Sequence, residues 1–231
     1  MRHTEVSAKF SSSYEVGPFD CQGSVAKRKP SPKKRGSYVG HIVDPFRGRR
    51  IYYESHLEYQ WASVWVADHR VQELCEQQYV KFREGRKLRM HCVDFVVHLK
   101  GGWKVGHSIK YRTDVMKSGL EGVVSAVSAH SDNRHVADDF RITREIDLNL
   151  LDFKNARKII AYGKMRDYEA QDFIKQSLPD LPEEISPREI ATRLKMGRRG
   201  EKAAIALLQS GLLQLRDHTA ITVDSRFINQ K

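Results

Sequence analysis

The sequence predicts an α/β protein: a mixed-sheet core ordered helix, three strands, helix, strand (αβββαβ), followed by a helical C-terminal unit. Three observations predict it. Apolar residues recur at helical spacing over 54–68, through Leu57, Trp61, Val64 and Trp65. Three strand-like segments follow, Tyr79–Arg83, Leu88–Leu99 and Trp103–Tyr111, the last two joined through the turn Lys100-Gly101-Gly102 as a hairpin. A helix is then expected over Val115–His130, weakened by Gly119 and Gly122, and a further strand around Phe140–Ile146.

Before this core lie two segments of different character. Residues 1–26 are polar and Ser-rich, an arm expected to order only against something else. Residues 27–50 are a basic block: Lys27, Arg28, Lys29, Lys33, Lys34, Arg35, Arg47, Arg49 and Arg50 oppose Asp44 alone. Prolines at 30, 32 and 45 keep that block extended, a form able to track a phosphate backbone.

After the core, residues 151–175 read as a helix with an apolar face at Phe153, Ala156, Ile159, Ile160 and Tyr162. Leu178-Pro-Asp-Leu-Pro182 is a break. Ser186-Pro187 opens a helix over Arg188–Lys195, with serine as N-cap and proline in the first turn. A second helix is expected over Arg199–Ser210, ended by Gly211, then a hairpin of Leu212–Leu215 and Ala220–Val223. This is a winged helix-turn-helix pattern. Its second helix begins with Arg198, Arg199 and Lys202, placed to face phosphates; winged helices also bind proteins, so both uses stay open. The expected division is therefore a basic arm at 1–50, a core domain at 51–150 and a C-terminal domain at 151–231.

Composition limits the function. The chain has 231 residues, 30% charged and 40% hydrophobic, enough to bury a core. A net charge of +11 and a pI of about 9.6 point to a polyanionic partner, most simply DNA or RNA. Cys21, Cys75 and Cys92 are odd in number, with no zinc-ligand spacing, which fits a reducing cytoplasm. No signal-peptide stretch and no run of 18 apolar residues is present, so neither export nor a membrane is expected. Walker loop, GxSxG elbow and RRM-like aromatic pair are all missing.

The chemistry-bearing pattern is Glu58 on the first helix, Asp94 in the apolar strand Cys92-Val-Asp-Phe-Val-Val97, and Lys110 at the end of the next strand. Carboxylate oxygens bind a hard cation such as Mg²⁺ with few protein ligands. Such a cation yields a hydroxide nucleophile and neutralises phosphate charge, while an amine orients the nucleophile. Singly, Asp94 reads as a turn former and Lys110 as a solvated edge residue. Together, on adjacent elements, they suit a metal-dependent phosphodiesterase. Glu54 reads as a solvated or capping residue, and the nearby His91, His98 and His107 as packing or surface residues.

The stretch from Tyr53 to Tyr111 resembles the nuclease domain of TnsA-like transposon endonucleases, through Glu54-Ser-His-Leu-Glu58, the pair Glu76-Gln77 expected before the first strand, Asp94-Phe95 and Ser108-Ile-Lys110. The resemblance implies a restriction-endonuclease-like fold and Mg²⁺- or Mn²⁺-dependent cutting of DNA at the 5′ ends of a mobile element, with two metal ions. It implies Glu58, Asp94 and the main-chain carbonyl of Ile109 as metal ligands, and Lys110 acting on nucleophile or phosphate. It also implies three partners: double-stranded transposon-end DNA, an RNase-H-like transposase, and an AAA+ ATPase contacted through the C-terminal region. One departure stands out. Ser108 occupies the position where this fold usually has Glu, Asp or Gln, so its own metal ligation is expected to be weak. The alternatives are a non-cleaving scaffold that binds and bridges DNA, and a free-standing restriction or junction nuclease of the same fold.

Overall fold

The computed structural model describes residues 22–28 and 38–230. Cys21, Lys29, Lys33, Lys34 and Arg35 lie outside the described residues. The first element is a hairpin inside the expected basic arm. β1 (Gly40–Asp44) pairs antiparallel with β2 (Arg49–Tyr53), so the expected boundary at 50 falls within a strand. Residues 45–48 do not run on extended: Asp44 Oδ1 accepts the N–H groups of Phe46 and Arg47 at 2.9 and 3.1 Å, closing a turn.

Helix α1 (His56–Ala67) starts at Ser55, whose hydroxyl accepts the Glu58 N–H at 3.1 Å. Strands β3 (Val71–Glu84), β4 (Lys87–Leu99), β5 (Lys104–Ile109) and β6 (Asp139–Thr143) form one mixed sheet in that order. The first three are antiparallel, and β6 runs parallel to β5. The first strand is much longer than the expected Tyr79–Arg83. The expected 115–130 helix is two, α2 (Arg112–Ser118) and α3 (Leu120–Ser128), joined at Gly119 with φ +64. Only glycine adopts that backbone without steric cost.

The expected 151–175 helix is likewise two, α4 (Leu150–Gly163) and α5 (Tyr168–Ser177). Then come β7 (Glu184–Ile185), α6 (Pro187–Arg193), α7 (Gly197–Ala206), β8 (Leu213–Leu215) and β9 (Phe227–Asn229). The three short strands form a sheet in the order β7-β9-β8. The second hairpin strand is thus Phe227–Asn229. The expected Ala220–Val223 strand is a loop instead, held by Asn155, which accepts the Ile221 N–H at 2.9 Å and donates to the Thr219 carbonyl at 2.8 Å.

Two apolar cores flank the main sheet. One joins Leu74, Phe95, Val97 and Ile109 to α1, the β1–β2 hairpin, α4, α5 and the C-terminal elements. The other joins Val80, Val93 and Val96 to α3 and Phe140. The first core is continuous from Ile42 to Phe227, so the expected 51–150 and 151–231 units share their buried side chains.

The alternation of the two long strands reverses partway. Leu74 and Val80 are both even-numbered on β3, yet they enter opposite cores; Phe95 and Val93 do the same on β4. A strand of period two cannot do this without an interruption. The interruption is Gln77, at φ +51, which lies between the pairs Glu76↔Phe95 and Gln78↔Val93 and therefore across from Asp94. A non-glycine residue held there costs roughly 1–2 kcal/mol.

Candidate active site where two strands part

The reversal sits where β4 and β5 separate. Their ladder runs from His98↔Lys104 to Phe95↔His107 and stops. At the next position the Asp94 carboxylate takes over, accepting the Ile109 N–H at 2.6 Å. A side chain thus replaces a backbone partner, and this fixes Asp94 in the gap between the strands.

Glu58 comes to the same place from α1. Its carboxylate is buried at 6% exposure and accepts from the Ser55 hydroxyl at 2.9 Å and the Glu54 N–H at 2.8 Å. With the Ser55 bond to the Glu58 N–H, Ser55 and Glu58 bind each other across a Ser-x-x-Glu helix start, Glu58 reaching back to the N–H before the cap rather than to that of Ser55 itself. The sequence carries that signature at Ser55-His-Leu-Glu58, so Glu58 has a local structural role as well as its place beside Asp94.

The electrostatics are those of acids short of a cation. Burial pushes the Asp94 carboxyl up to about 8, and the negative charge of Glu58 adds to the rise. Burial also raises Glu58, against the pull of its two hydrogen bonds. Arg28 lowers both acids through space, and Glu54 raises both. The Arg28 guanidinium bonds Gln77 Oε1 at 2.6 and 3.1 Å and pairs with Glu54. It arrives on the segment 22–28, which is fastened by Gln22 N–H to the Gly48 carbonyl at 2.7 Å and Lys27 N–H to the Gln77 carbonyl at 3.1 Å. Gln77 Nε2 is buried with no hydrogen-bond partner among the described residues. The two carboxylates suit a hydrated hard cation, whereas the unpaired Gln77 Nε2 is an N–H donor and can serve only an acceptor oxygen.

Lys110 follows directly. Its N–H donates to the Thr143 carbonyl at 3.0 Å, seating it on β6. Its ammonium charge reaches His91, whose imidazole is pushed down first by burial and then by Lys110. Among the described residues Lys110 forms no direct ion pair with Glu58 or Asp94. Ser108 is buried, and its hydroxyl is bonded to His91 Nε2 at 2.8 Å. His107 is a packing residue: its ring lies 4.6 Å from that of Trp65, Nδ1 bonds the Thr143 hydroxyl at 2.7 Å, and burial pushes it down to about 4.

The expected nucleic-acid contacts divide. Lys27, Arg50 and Arg198 are exposed, and Lys202 is half-buried. Arg49 is a correction: it is 5% exposed, between Glu73 at 3.0 Å and Glu76 at 2.8 Å, because the β1–β2 hairpin folds it inward. Arg199 is tied to Asp167 at 2.6 Å and to Glu169, and Arg28 is folded onto the acids. The pair Glu76-Gln77 lies inside β3 rather than before the first strand.

Sequence reasoning read His91 as a packing or surface residue and missed its bond to Ser108 and the role of Gln77, which only strand pairing brings to the site. It also missed the place of Arg28, which no local spacing signals. A second ligand-bearing cluster, Glu73, Cys75 and His98, has donor atoms within 4.8 Å of one another. Glu73-x-Cys75 on a strand could have signalled it. Its sulfur and imidazole donors are wrong for Mg²⁺, and Arg49 already engages Glu73. No protein-family model matches the chain, and none of the curated proteins matches it.

Proposed function

We propose that the chain is a divalent-metal-dependent DNA endonuclease subunit of a heteromeric transposase, cutting the 5′ ends of a mobile element in a bacterial cytoplasm. The single observation that carries this reading is the pair Glu58–Asp94. A buried acid from α1 and a half-buried acid from β4 come together where β4 and β5 part, with their carboxyls raised, and among the described residues no cation pairs directly with Asp94. The sheet order β3-β4-β5-β6 with α1 and α3 on its faces supports a restriction-endonuclease-like core. The helices α6 and α7 between β7 and β8, with β9 returning between those strands, support a winged helix. No helix among the described residues is long and apolar enough to cross a membrane.

Glu58, Asp94 and the Ile109 carbonyl would hold Mg²⁺ or Mn²⁺. When bound, the ion supplies phosphate charge neutralisation and a hydroxide at neutral pH. The rest falls to the chain itself. The Ile109 N–H fixes the Asp94 carboxylate. Lys110, at the strand end, orients the nucleophile or a phosphate oxygen. The exposed Lys27 and Arg50 add counterion-release affinity for the duplex, and the C-terminal unit docks the ATPase partner. Asp94→Ala should abolish nicking of end-sequence DNA in the presence of the partner transposase while leaving assembly intact. Normal cutting by that variant would remove Asp94 from the site.

Ser108 favours one other reading, a scaffold that holds DNA without cutting it. The hydroxyl stands where an acid would extend the donor set, and it is committed to His91. A divalent-cation titration of nicking by the assembled complex separates the two readings: cutting that follows the metal supports the nuclease, and silence at every concentration supports the scaffold.

A further inference from the structure

We infer that the outer half of the β3–β4 hairpin is a DNA-binding β-ribbon that grips the duplex whose phosphodiester lies at Asp94. The inference rests on the nuclease reading above and adds the surface that holds the substrate. The pairing of β4 with β5 covers only Phe95–His98, so from Asp94 outward β3 and β4 pair with each other alone. They continue to Glu84↔Lys87, closed by the two-residue loop Gly85-Arg86 with Gly85 at φ +58. At about 3.4 Å per residue, the tip stands roughly 24 Å from Asp94. The base is clamped: Asn133 accepts the Lys81 N–H at 2.8 Å and donates to its carbonyl at 2.7 Å. Beyond that clamp every residue from Arg83 to Met90 is exposed.

The ribbon is strongly basic. Lys81, Arg83, Arg86, Lys87 and Arg89 oppose Glu84 alone. Arg89 pairs with Glu84 at 3.0 Å and Lys81 lies 3.8 Å from Asp132, while Arg83, Arg86 and Lys87 make no ion pair among the described residues. The two faces also differ. His91 and Val93 turn toward the α3 side, with Val80 and Phe82 opposite. Alternation then places Lys81, Arg83, Leu88 and Met90 on the other face. Leu88 and Met90 are 53% and 63% exposed there, apolar area that nothing among the described residues covers. That face runs into the site through Cys92, whose thiol donates to Gln77 Oε1 at 3.4 Å and feels the Asp94 charge. A two-stranded ribbon fits the major groove of B-DNA, about 12 Å wide. Free cations meet phosphates, and exposed apolar side chains meet base edges and sugars. This charge complementarity selects a duplex over an apolar protein surface as the occupant.

The test is fluorescence anisotropy of a labelled 40-base-pair duplex against salt concentration, with the unmodified chain and with the triple variant Arg83→Ala, Arg86→Ala, Lys87→Ala. All three side chains are exposed and make no ion pair among the described residues, and matching thermal unfolding midpoints check that the fold is kept. The slope of log K against log salt should fall by about 2–3 in magnitude, since each neutralised phosphate contributes about 0.9. An unchanged slope, with the unmodified chain binding DNA, would overturn the ribbon while leaving the nuclease reading in place. Failure of the unmodified chain to bind any duplex would overturn both. A second variant, Leu88→Ser with Met90→Ser, should weaken binding several-fold with the slope unchanged, since it removes contact without charge.

Discussion

Arg49 and Arg28 both bond residues of strand β3, and they treat the acids near them differently. Arg49 lies between Glu73 and Glu76 in direct ion pairs, with Glu76 fully buried. Arg28 bonds Gln77 and Glu54, and gives Glu58 and Asp94 only its charge through space. One acid cluster is therefore compensated inside the protein, whereas in the other burial dominates and Asp94 is pushed up to about 8. Acids matched by their own cation hold a fold together. Acids buried short of one cost stability, and that cost is removed when a cation arrives from outside.

The contrast can be broken in the unfolding energies. Arg49→Met strips the cation from two acids, one of them fully buried, and should destabilise by about 3–5 kcal/mol in urea unfolding. A loss within about 0.5 kcal/mol would mean that the Glu73–Arg49–Glu76 cluster is not structural.

The next largest effect is one of pH. An unfolded Asp releases its proton near 3.9, and folded Asp94 holds it to about 8. Between those values the folded state binds more protons than the unfolded one, so stability falls as pH rises across that window. Asp94→Asn should match the parent near pH 4 and exceed it by at least about 2 kcal/mol at pH 8 in chelator. Equal stability at both pH values would show that Asp94 is not held protonated by its surroundings.

The smallest effect sharpens the comparison. Arg28→Met should cost about 1 kcal/mol or less, because that guanidinium is part-exposed. It should also raise the Asp94 titration further, since Arg28 lowers it. A downward shift, read by carboxyl NMR, would contradict the through-space role assigned to Arg28.

The chain order of helix, three strands, helix and strand was legible because apolar residues recur at clear periods in α1, β4 and α3. The break at Gly119 was foreshadowed by two glycines, but its place depends on φ +64 at one of them. The strand Ala220–Val223 was misread because a short apolar run does not reveal its pairing partner, and β9 lies farther on at Phe227–Asn229. At the candidate site, the acids stood out in sequence because Asp94 interrupts an apolar strand and Glu58 adjoins the apolar stripe of Leu57 and Trp61. The places of Gln77 and His91 were not legible, since the reversal that carries them there is a property of two paired strands rather than of either alone. Arg49 and Arg28 looked like solvated charges because a local basic run does not show which cations a hairpin will fold inward.

The central claim is that Glu58 and Asp94 form a hard-cation site. Titration of Mn²⁺ or Mg²⁺ into the chain at pH 7.5, followed by thermal unfolding, tests it most directly. The account predicts a midpoint that rises with metal in the unmodified chain and stays flat in both Asp94→Ala and Glu58→Gln. A metal-dependent rise of the same size in all three proteins, or in none, would contradict it.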